Sequence, residues 1–550
     1  MRSSILLGIA ASSTAVAHQS LPTRQSKWTV GQTVQTDSGL VVGHAAPDVT
    51  SVSEYLGIPY AQPPVGDLRF AAPVRYASND TIVASAFGDG CLIAPPSGSH
   101  GVTSNPANLT VAGTQVVEEG AESGVRTSED CLTLNVWTMP QIGEASKAVM
   151  LWVYGGAFLN GWSGDPQYNG QSLAGSEDVV VVSFNYRENI FGFPGAGTPN
   201  VGLLDQRLAV EWVRDNIAAF GGDPSRITLF GQSAGAASID FYSYAWPSDP
   251  IIEGMILESG TTQVIPPLNS TTSGARWDNV TSAVGCGNST QSDSSAVLKC
   301  MRAANSTSIV SALIATPSFT PTIDNTIVFN SSEYISRSLS GQFVRKPVLI
   351  GTNDNEEAIF RAGALLTGAP DQPPSTWEAL NLMKFFCPCS MRANVSVYNQ
   401  VPTWRYRWFG VFPNTNLTSF PDSGAYHGSE IPIIFKTTPA GKGIANNTIE
   451  ELEVMAFMRG AWASFAKNPT SGLTSYGSGW PLYNPTNATL IRLAFNSTNP
   501  TGTNLVLPGM YDIACKTVFD ANGNTNSTTS GSIPSATPKT SSGAVVSYAQ

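Results

Sequence analysis

The chain has 550 residues, 42% hydrophobic and only 13% charged, the balance of a globular protein with a large core and not of a disordered one. Its formal net charge is -11 and no lysine/arginine cluster offsets it, which argues against a nucleic-acid partner. Length alone allows several domains, yet no hinge-like linker divides the middle of the chain and no internal repeat is present.

The N-terminus reads as a secretory signal. Arg2 supplies the positive start, residues 5–10 begin a short apolar stretch, and Ala15-Val16-Ala17 is an A-x-A cleavage pattern, so residues 1–17 are expected to be removed. That stretch is too short to span a bilayer, no other segment reaches about 18 apolar residues, and the end of the chain is too polar for a GPI tail. The expectation is a secreted protein with no stable membrane anchor. Sequons begin at Asn79, Asn108, Asn269, Asn279, Asn288, Asn305, Asn330, Asn394, Asn416, Asn446, Asn487, Asn496 and Asn526, which predicts several N-glycans. In an oxidising compartment the seven cysteines should mostly pair. Nearness in sequence favours Cys91 with Cys131 and Cys286 with Cys300. Cys515 should tie the end of the fold to Cys387 or Cys389, between which spacing does not choose, and one thiol stays odd.

After a β-rich opening at 30–42, Pro-fixed turns around Pro63-Pro64 predict an irregular ordered connection. The loop between Cys91 and Cys131 is rich in Gly, Ser, Pro and Asn and poor in large apolar residues. Runs at 149–154 and 179–184 are apolar without alternation, as strands buried on both faces are. Residues 203–220 have helical spacing, with Leu204, Leu208, Trp212, Ile217 and Phe220 on one face and Gly221-Gly222 as a stop. Further strands are predicted at 227–230, 255–257 and 347–350, with a helical excursion within 260–345. Leu452, Met455, Met458, Trp462 and Phe465 form a helical stripe read as core packing. Strands alternating with helices predict an α/β fold with a large, mostly parallel central sheet flanked by helices, ligands binding beyond the strands' carboxyl ends. Residues 18–520 are read as one domain and 521–550 as a disordered Ser/Thr-rich tail.

The chemistry centres on Gly231-Gln232-Ser233-Ala234-Gly235, a G-x-S-x-G pattern between strand formers and a small-residue helix. Such an elbow needs residues without Cβ where strand and helix crowd together, and it lifts Ser233 above the sheet edge. A serine hydroxyl is a poor nucleophile until a base takes its proton, and histidine suits that role at neutral pH. Of the four histidines, His18, His44 and His100 precede Ser233, while His427 follows it and leaves room for an acid between, the order Ser, acid, His. The acid should follow a strand, and the exit from 347–350 offers Asp354, Glu356 and Glu357, among which local chemistry does not decide. Gly155, Gly156 and Ala157, after the strand at 149–154, together with Ala234, are the candidate oxyanion donors. A nucleophile, base, acid and oxyanion donors of this kind call for no metal or cofactor, and the expected partner is a small-molecule ester.

Several stretches together resemble the type-B carboxylesterase family, which includes cholinesterases and fungal lipases. They are Tyr55-Leu-Gly-Ile-Pro-Tyr-Ala61, Pro63-Pro-Val-Gly-Asp-Leu-Arg-Phe70, Ser128-Glu-Asp-Cys-Leu132, Tyr154-Gly-Gly-Ala-Phe158, Asn185-Tyr-Arg187, Phe191-Gly-Phe193, Gly202-Leu-Leu-Asp-Gln-Arg207, Phe220-Gly-Gly-Asp-Pro224 and the elbow. The resemblance implies the α/β-hydrolase fold and two-step acyl transfer with the triad Ser233, Glu356 and His427. The family's acid lies in a Gly-Thr-x-x-Asp-Glu-Gly-like stretch. Here Asn355 replaces the usual Asp and Glu357 the usual Gly, which keeps Glu357 as a rival to Glu356. The resemblance also implies bridges Cys91–Cys131 and Cys286–Cys300, ion pairs Arg69–Glu129 and Arg187–Asp205, and Ser259 holding the acid from behind. In the family the first disulfide loop forms a flap. Its small polar composition here favours an esterase over a lipase with an amphipathic lid, while a pathway esterase acting on one metabolite stays open. Gln232, where relatives acting on choline esters carry Glu, argues against cholinesterase specificity. The intact candidate triad argues against the adhesion proteins that have lost it.

Overall fold

The computed structural model describes residues 28–94, 104–120, 124–140, 146–288, 293–495, 500–502 and 504–515. The expected signal stretch 1–17, the tail 521–550, His18, His100, Asn496 and Asn526 lie outside the described residues.

The two apolar runs without alternation become the strands Lys147–Val153 and Val180–Phe184, every residue of which is buried. They pair in parallel, and Gly222–Gln232, Gly254–Glu258, Val348–Asn353, Thr403–Trp408 and Leu490–Leu493 extend the parallel block. Antiparallel strands flank it: Asn504–Val506 on one side, and Thr133–Thr138, Ser53–Pro59 and His44–Ala45 on the other. Among the described residues the whole is an 11-stranded sheet. The helices Val201–Asn216, Ala234–Ala245 and Ile449–Lys467 pack on its central strands. Rings interlock at the centre, where Trp152 lies 4.8 Å from Phe230 and 5.1 Å from Phe435.

The order of strands sets where a site can form. From Lys147–Val153 the chain adds Val180–Phe184 on one side, then crosses to add Gly222–Gln232 on the other. Connections leaving those two neighbours in opposite directions open a crevice beyond their carboxyl ends. The chain leaves the first at Tyr154-Gly155-Gly156 and the second at Ser233, so the glycine loop and the elbow share that crevice.

Several expectations are corrected in detail. The helix predicted over 203–220 is α-helical only to Asn216, and Ile217–Phe220 tightens into a 3₁₀ turn before Gly221, at φ 87°, ends it. Asn216 Nδ2 donates to Trp212 O at 2.9 Å and so competes for a carbonyl of the last turn. In the stripe on Ile449–Lys467, Met455, Met458, Trp462 and Phe465 are buried, but Leu452 is 44% exposed. It sits in the first turn, just past the Thr448–Glu451 capping box, where the helix has not yet reached the sheet.

The sequence reading passed over the strand Thr403–Trp408. It contains Arg405 and Arg407, yet all six of its residues are buried. The arginines are tolerated because each has a carboxylate: Arg405 Nη2 donates to Asp512 Oδ1 and Arg407 Nε to Asp354 Oδ1, both at 2.8 Å. The Cys91–Cys131 loop holds a helix as well, Val111–Gly120. It packs with Leu109, Leu417, Tyr426, Ala358 and Ala362 in a small apolar cluster apart from the main core. Large side chains were not needed for this contact: a Cβ on Gly113 would lie 1.9 Å from Leu417 O.

The excursion within 260–345 is helical as predicted, through Ser270–Val284, Ser294–Ala303, Ser306–Leu313 and Ser331–Ser340. Disulfides join Cys91–Cys131, Cys286–Cys300 and Cys387–Cys515, and Cys389 is a buried thiol. Cys387 and Cys389 share the helix Cys387–Tyr398. Two residues along a helix is about 200° of rotation, so one sulfur faces Cys515 and the other the interior. The ion pairs Arg69–Glu129 at 2.6 Å and Arg187–Asp205 at 2.7 Å are both present.

Candidate active site

The strand Gly222–Gln232 passes straight into the helix Ala234–Ala245 through Ser233, at φ 56°, ψ -122°. That conformation costs a non-glycine residue about 1–3 kcal/mol and persists only where the surroundings impose it. The surroundings are the end of Lys147–Val153. A Cβ on Gly235 would stand 1.9 Å from Val153 O, so this position admits glycine alone. Ser233 N–H donates to Glu258 O at 2.8 Å, which ties the elbow to the next strand.

The glycine loop lies against the same serine. A Cβ on Gly155 would come within 3.0 Å of Ser233 Cβ. Gly156 (φ 92°), Ala157 (φ 59°) and Phe158 (φ 63°) are all left-handed. Gly156 O accepts the N–H groups of Leu159 and Asn160 at 2.9 and 3.2 Å, closing a turn that keeps residues 155–157 beside the elbow. Tyr186 supports the loop from below, its ring stacked on Tyr154 at 4.5 Å and its hydroxyl donating to Tyr154 O at 3.1 Å. Ala234 opens its helix, so its N–H has no intrahelical acceptor. The candidate oxyanion residues Gly155, Gly156, Ala157 and Ala234 therefore gather around Ser233.

The acid candidates separate cleanly. Glu356 is fully buried, and its Oε1 accepts from Ser259 Oγ and from Asn353 N–H, each at 2.7 Å. Its Oε2 lies 2.6 Å from His427 Nδ1. Asp354 instead turns to Arg407. Glu357 starts the helix Glu357–Leu366, where its N–H donates to Asn381 Oδ1 at 2.8 Å, and burial pushes its carboxyl up with no contact to the imidazole. Ser259 holds the acid, as the resemblance implied, from a left-handed position (φ 51°) just past the strand Gly254–Glu258.

His427 is mostly buried, and its Nε2 has no hydrogen-bond partner. Its neighbour Gly428 sits beside the elbow: a Cβ there would be 3.7 Å from Gln232 Nε2. One imidazole nitrogen is thus held by a carboxylate while the other is buried without a protein partner. His44 pairs with Glu54 at 3.0 Å at the far edge of the sheet and takes no part.

Sequence reasoning missed two rings. Phe360 and Phe385 lie 5.1 and 4.7 Å from the imidazole, and 5.8 Å from each other in a stack. Phe360 is one helical turn past Glu356, a spacing that could have marked it. Phe385 comes from the π-helical turn Asn381–Phe386, for which no local signal exists. It also missed Glu258 and Glu430, two fully buried carboxyls near the same strand ends.

Comparison with known proteins shows the family to which the chain belongs. The sequence model of the carboxylesterase family matches residues 30–372. Chlorogenic acid esterase of Aspergillus niger is 34% identical over 83% of this chain and 86% of its own length. Secreted lipase 5 of Gibberella zeae is 32% identical over 86% of this chain and 92% of its own. Acetylcholinesterase of Electrophorus electricus is 36% identical over 62% of this chain and 53% of its own. Among solved structures, a PNB esterase superposes with a TM-score of 0.68 at 27% identity, covering 85% of this chain and 96% of that one. A thermophilic PNB esterase gives 0.66 at 27% identity, over 82% and 94%. The chain has the α/β-hydrolase fold, belongs to the carboxylesterase family and is a carboxylic ester hydrolase.

Proposed function

We propose that this protein is a secreted serine esterase that works through an acyl-enzyme on Ser233. The observation that carries the reading is the buried His427: Nδ1 at 2.6 Å from Glu356, Nε2 buried without a partner, and the next residue, Gly428, against Gln232 of the elbow. Nε2 takes the Ser233 proton as the hydroxyl attacks the ester carbonyl, and Glu356 fixes the tautomer and steadies the imidazolium. The N–H groups of Gly156 and Ala234, with Ala157 as a third, receive the oxyanion. His427 then protonates the leaving alcohol, and water repeats the cycle on the acyl group. Ser233→Ala should reduce hydrolysis of a small activated ester to background with an unchanged Tm; substantial retained turnover would refute the assignment.

The flap geometry favours soluble esters over emulsified lipid. The segment leading into Val111–Gly120 is fastened to the loop before His427: Thr110 N–H donates to Leu417 O at 3.0 Å, and Ser419 N–H to Asn108 O at 2.8 Å. A lid that swings open on lipid would have to break these bonds. Phe360 and Phe385 offer an apolar wall beside the imidazole, and Phe360 is 39% exposed. Together with the activity named for the Aspergillus niger relative, that wall favours an ester with an aromatic group. Sharp activation by emulsified long-chain triglyceride would overturn this preference. Three disulfides and the secreted fungal relative support export. The exposed sequon asparagines among the described residues, Asn79, Asn108, Asn269, Asn279, Asn305, Asn330, Asn446 and Asn487, are the sites we propose for glycans.

A further inference from the structure

Two buried carboxyl groups lie behind Glu356, and the mechanism above does not use them. Glu258 ends its strand just before Ser259, and Glu430 follows His427 by three residues. Glu258 Oε1 accepts from Trp462 Nε1 at 2.8 Å, and Glu430 Oε2 accepts from Asn353 Nδ2. Their remaining oxygens, Glu258 Oε2 and Glu430 Oε1, are buried with no donor. Burial, and then the charge of Glu430, push the Glu258 carboxyl well above the ordinary range. Burial, and then the charge of Glu356, push Glu430 up to about 8.

The other ionisable neighbours bring no positive charge to compensate. Tyr406, from the strand Thr403–Trp408, is fully buried with its hydroxyl unpartnered, and Tyr426 and His427 belong to Glu430's own loop. No cation is among the groups that act on either carboxyl. The charge of Glu430 disfavours a charge on Glu258, and burial disfavours both. One proton removes the repulsion, and a protonated carboxyl has an O–H to offer to a carboxylate oxygen that lacks a donor.

We propose that Glu258 and Glu430 share one proton in a carboxyl–carboxylate hydrogen bond, forming a positioning pair that braces both donors to Glu356. Asn353 is held through its side chain by Glu430 while its own N–H donates to Glu356 Oε1. Glu258 leads into Ser259, whose hydroxyl donates to the same oxygen, and its carbonyl accepts Ser233 N–H. Losing the proton would set a second negative charge beside Glu356. The pair itself does not depend on Ser233 being the nucleophile, whereas its effect on turnover rests on the function proposed above.

The test compares wild type with Glu258→Gln, Glu430→Gln and the double variant. Infrared difference spectra of the wild type at pH 7 should show the carbonyl stretch of a protonated carboxyl, and either single substitution should abolish the same band. Each single amide donates where the proton did, so Tm at pH 7 should equal or exceed that of wild type. The double variant sets two NH₂ groups against each other, and its Tm should fall below both singles. The folded pair keeps a proton that the unfolded chain releases above about pH 4.3, so wild-type Tm should decline from there towards about pH 8. Both single variants should flatten that decline and move the alkaline limb of kcat upward. The proposal is overturned by a wild type without the band, a band surviving both singles, additive effects in the double variant, or a single variant that cannot fold at pH 7. A band that is lost while the kcat profile is unchanged would overturn only the catalytic role.

Discussion

Glu356→Gln removes a charge while keeping the shape, and the local hydrogen bonds decide which way round the amide sits. Oε1 accepts two donors, Ser259 Oγ and Asn353 N–H, both at 2.7 Å. The amide oxygen must take that place, because an NH₂ facing two buried donors would cost about 1–3 kcal/mol for each bond lost. The NH₂ then points at His427 Nδ1, where a carboxylate oxygen stood 2.6 Å away. Nδ1 must now accept, the ring proton moves to Nε2, and the imidazole can no longer take the proton of Ser233. In an unrelated serine protease the equivalent loss of tautomer control lowers kcat about ten-thousand-fold. At 1.36 kcal/mol per decade that is about 5 kcal/mol of transition-state stabilisation. The assay is kcat on p-nitrophenyl acetate at pH 7.5 (about one unit above the ordinary histidine value), with Tm measured alongside. Glu357→Gln should leave kcat unchanged. Glu356→Gln within tenfold of wild type, or Glu357→Gln falling as far, would refute the reasoning.

Ser259→Ala removes one of the two donors to Glu356 Oε1 and leaves the other. A hydrogen bond to a charged group contributes about 1.5–3 kcal/mol, so kcat should drop roughly ten- to hundredfold, with KM little changed; an unchanged kcat would show that Asn353 alone suffices. Burial pushes the Cys389 thiol up to about 11, so the native protein should not react with a disulfide reagent at pH 8 and should release one thiol per chain once denatured without reductant. Rapid native reaction would contradict both the buried thiol and the Cys387–Cys515 pairing.

What the sequence revealed and what it hid follow from how local each feature is. The elbow is five consecutive residues whose glycines answer to one contact with the neighbouring strand, so it can be read without a fold. The strands at 149–154 and 179–184 declare themselves because burial on both faces leaves no polar position. Asp354, Glu356 and Glu357 are chemically alike, and only backbone direction past Asn353 decides which one meets His427. That direction is set by Ser259 and Asn353, and Ser259 is 97 residues away in sequence. Thr403–Trp408 was hidden for the opposite reason: its arginines look solvent-facing until Asp354 and Asp512 come to meet them. The helix in the first disulfide loop escaped notice because it packs through Gly113 and small neighbours. Phe385 was unreadable, since it reaches the imidazole from a π-turn over a hundred residues past the elbow.

The account stands on a covalent acyl group forming on one side chain. Wild-type protein mixed with a slowly deacylating ester, quenched in acid and mapped by mass spectrometry, tests it directly. The acyl mass should appear on the peptide carrying Ser233 at up to one per chain, and be absent from that peptide in Ser233→Ala. An adduct on a different residue, or steady turnover with none trapped at any quench time, would contradict it.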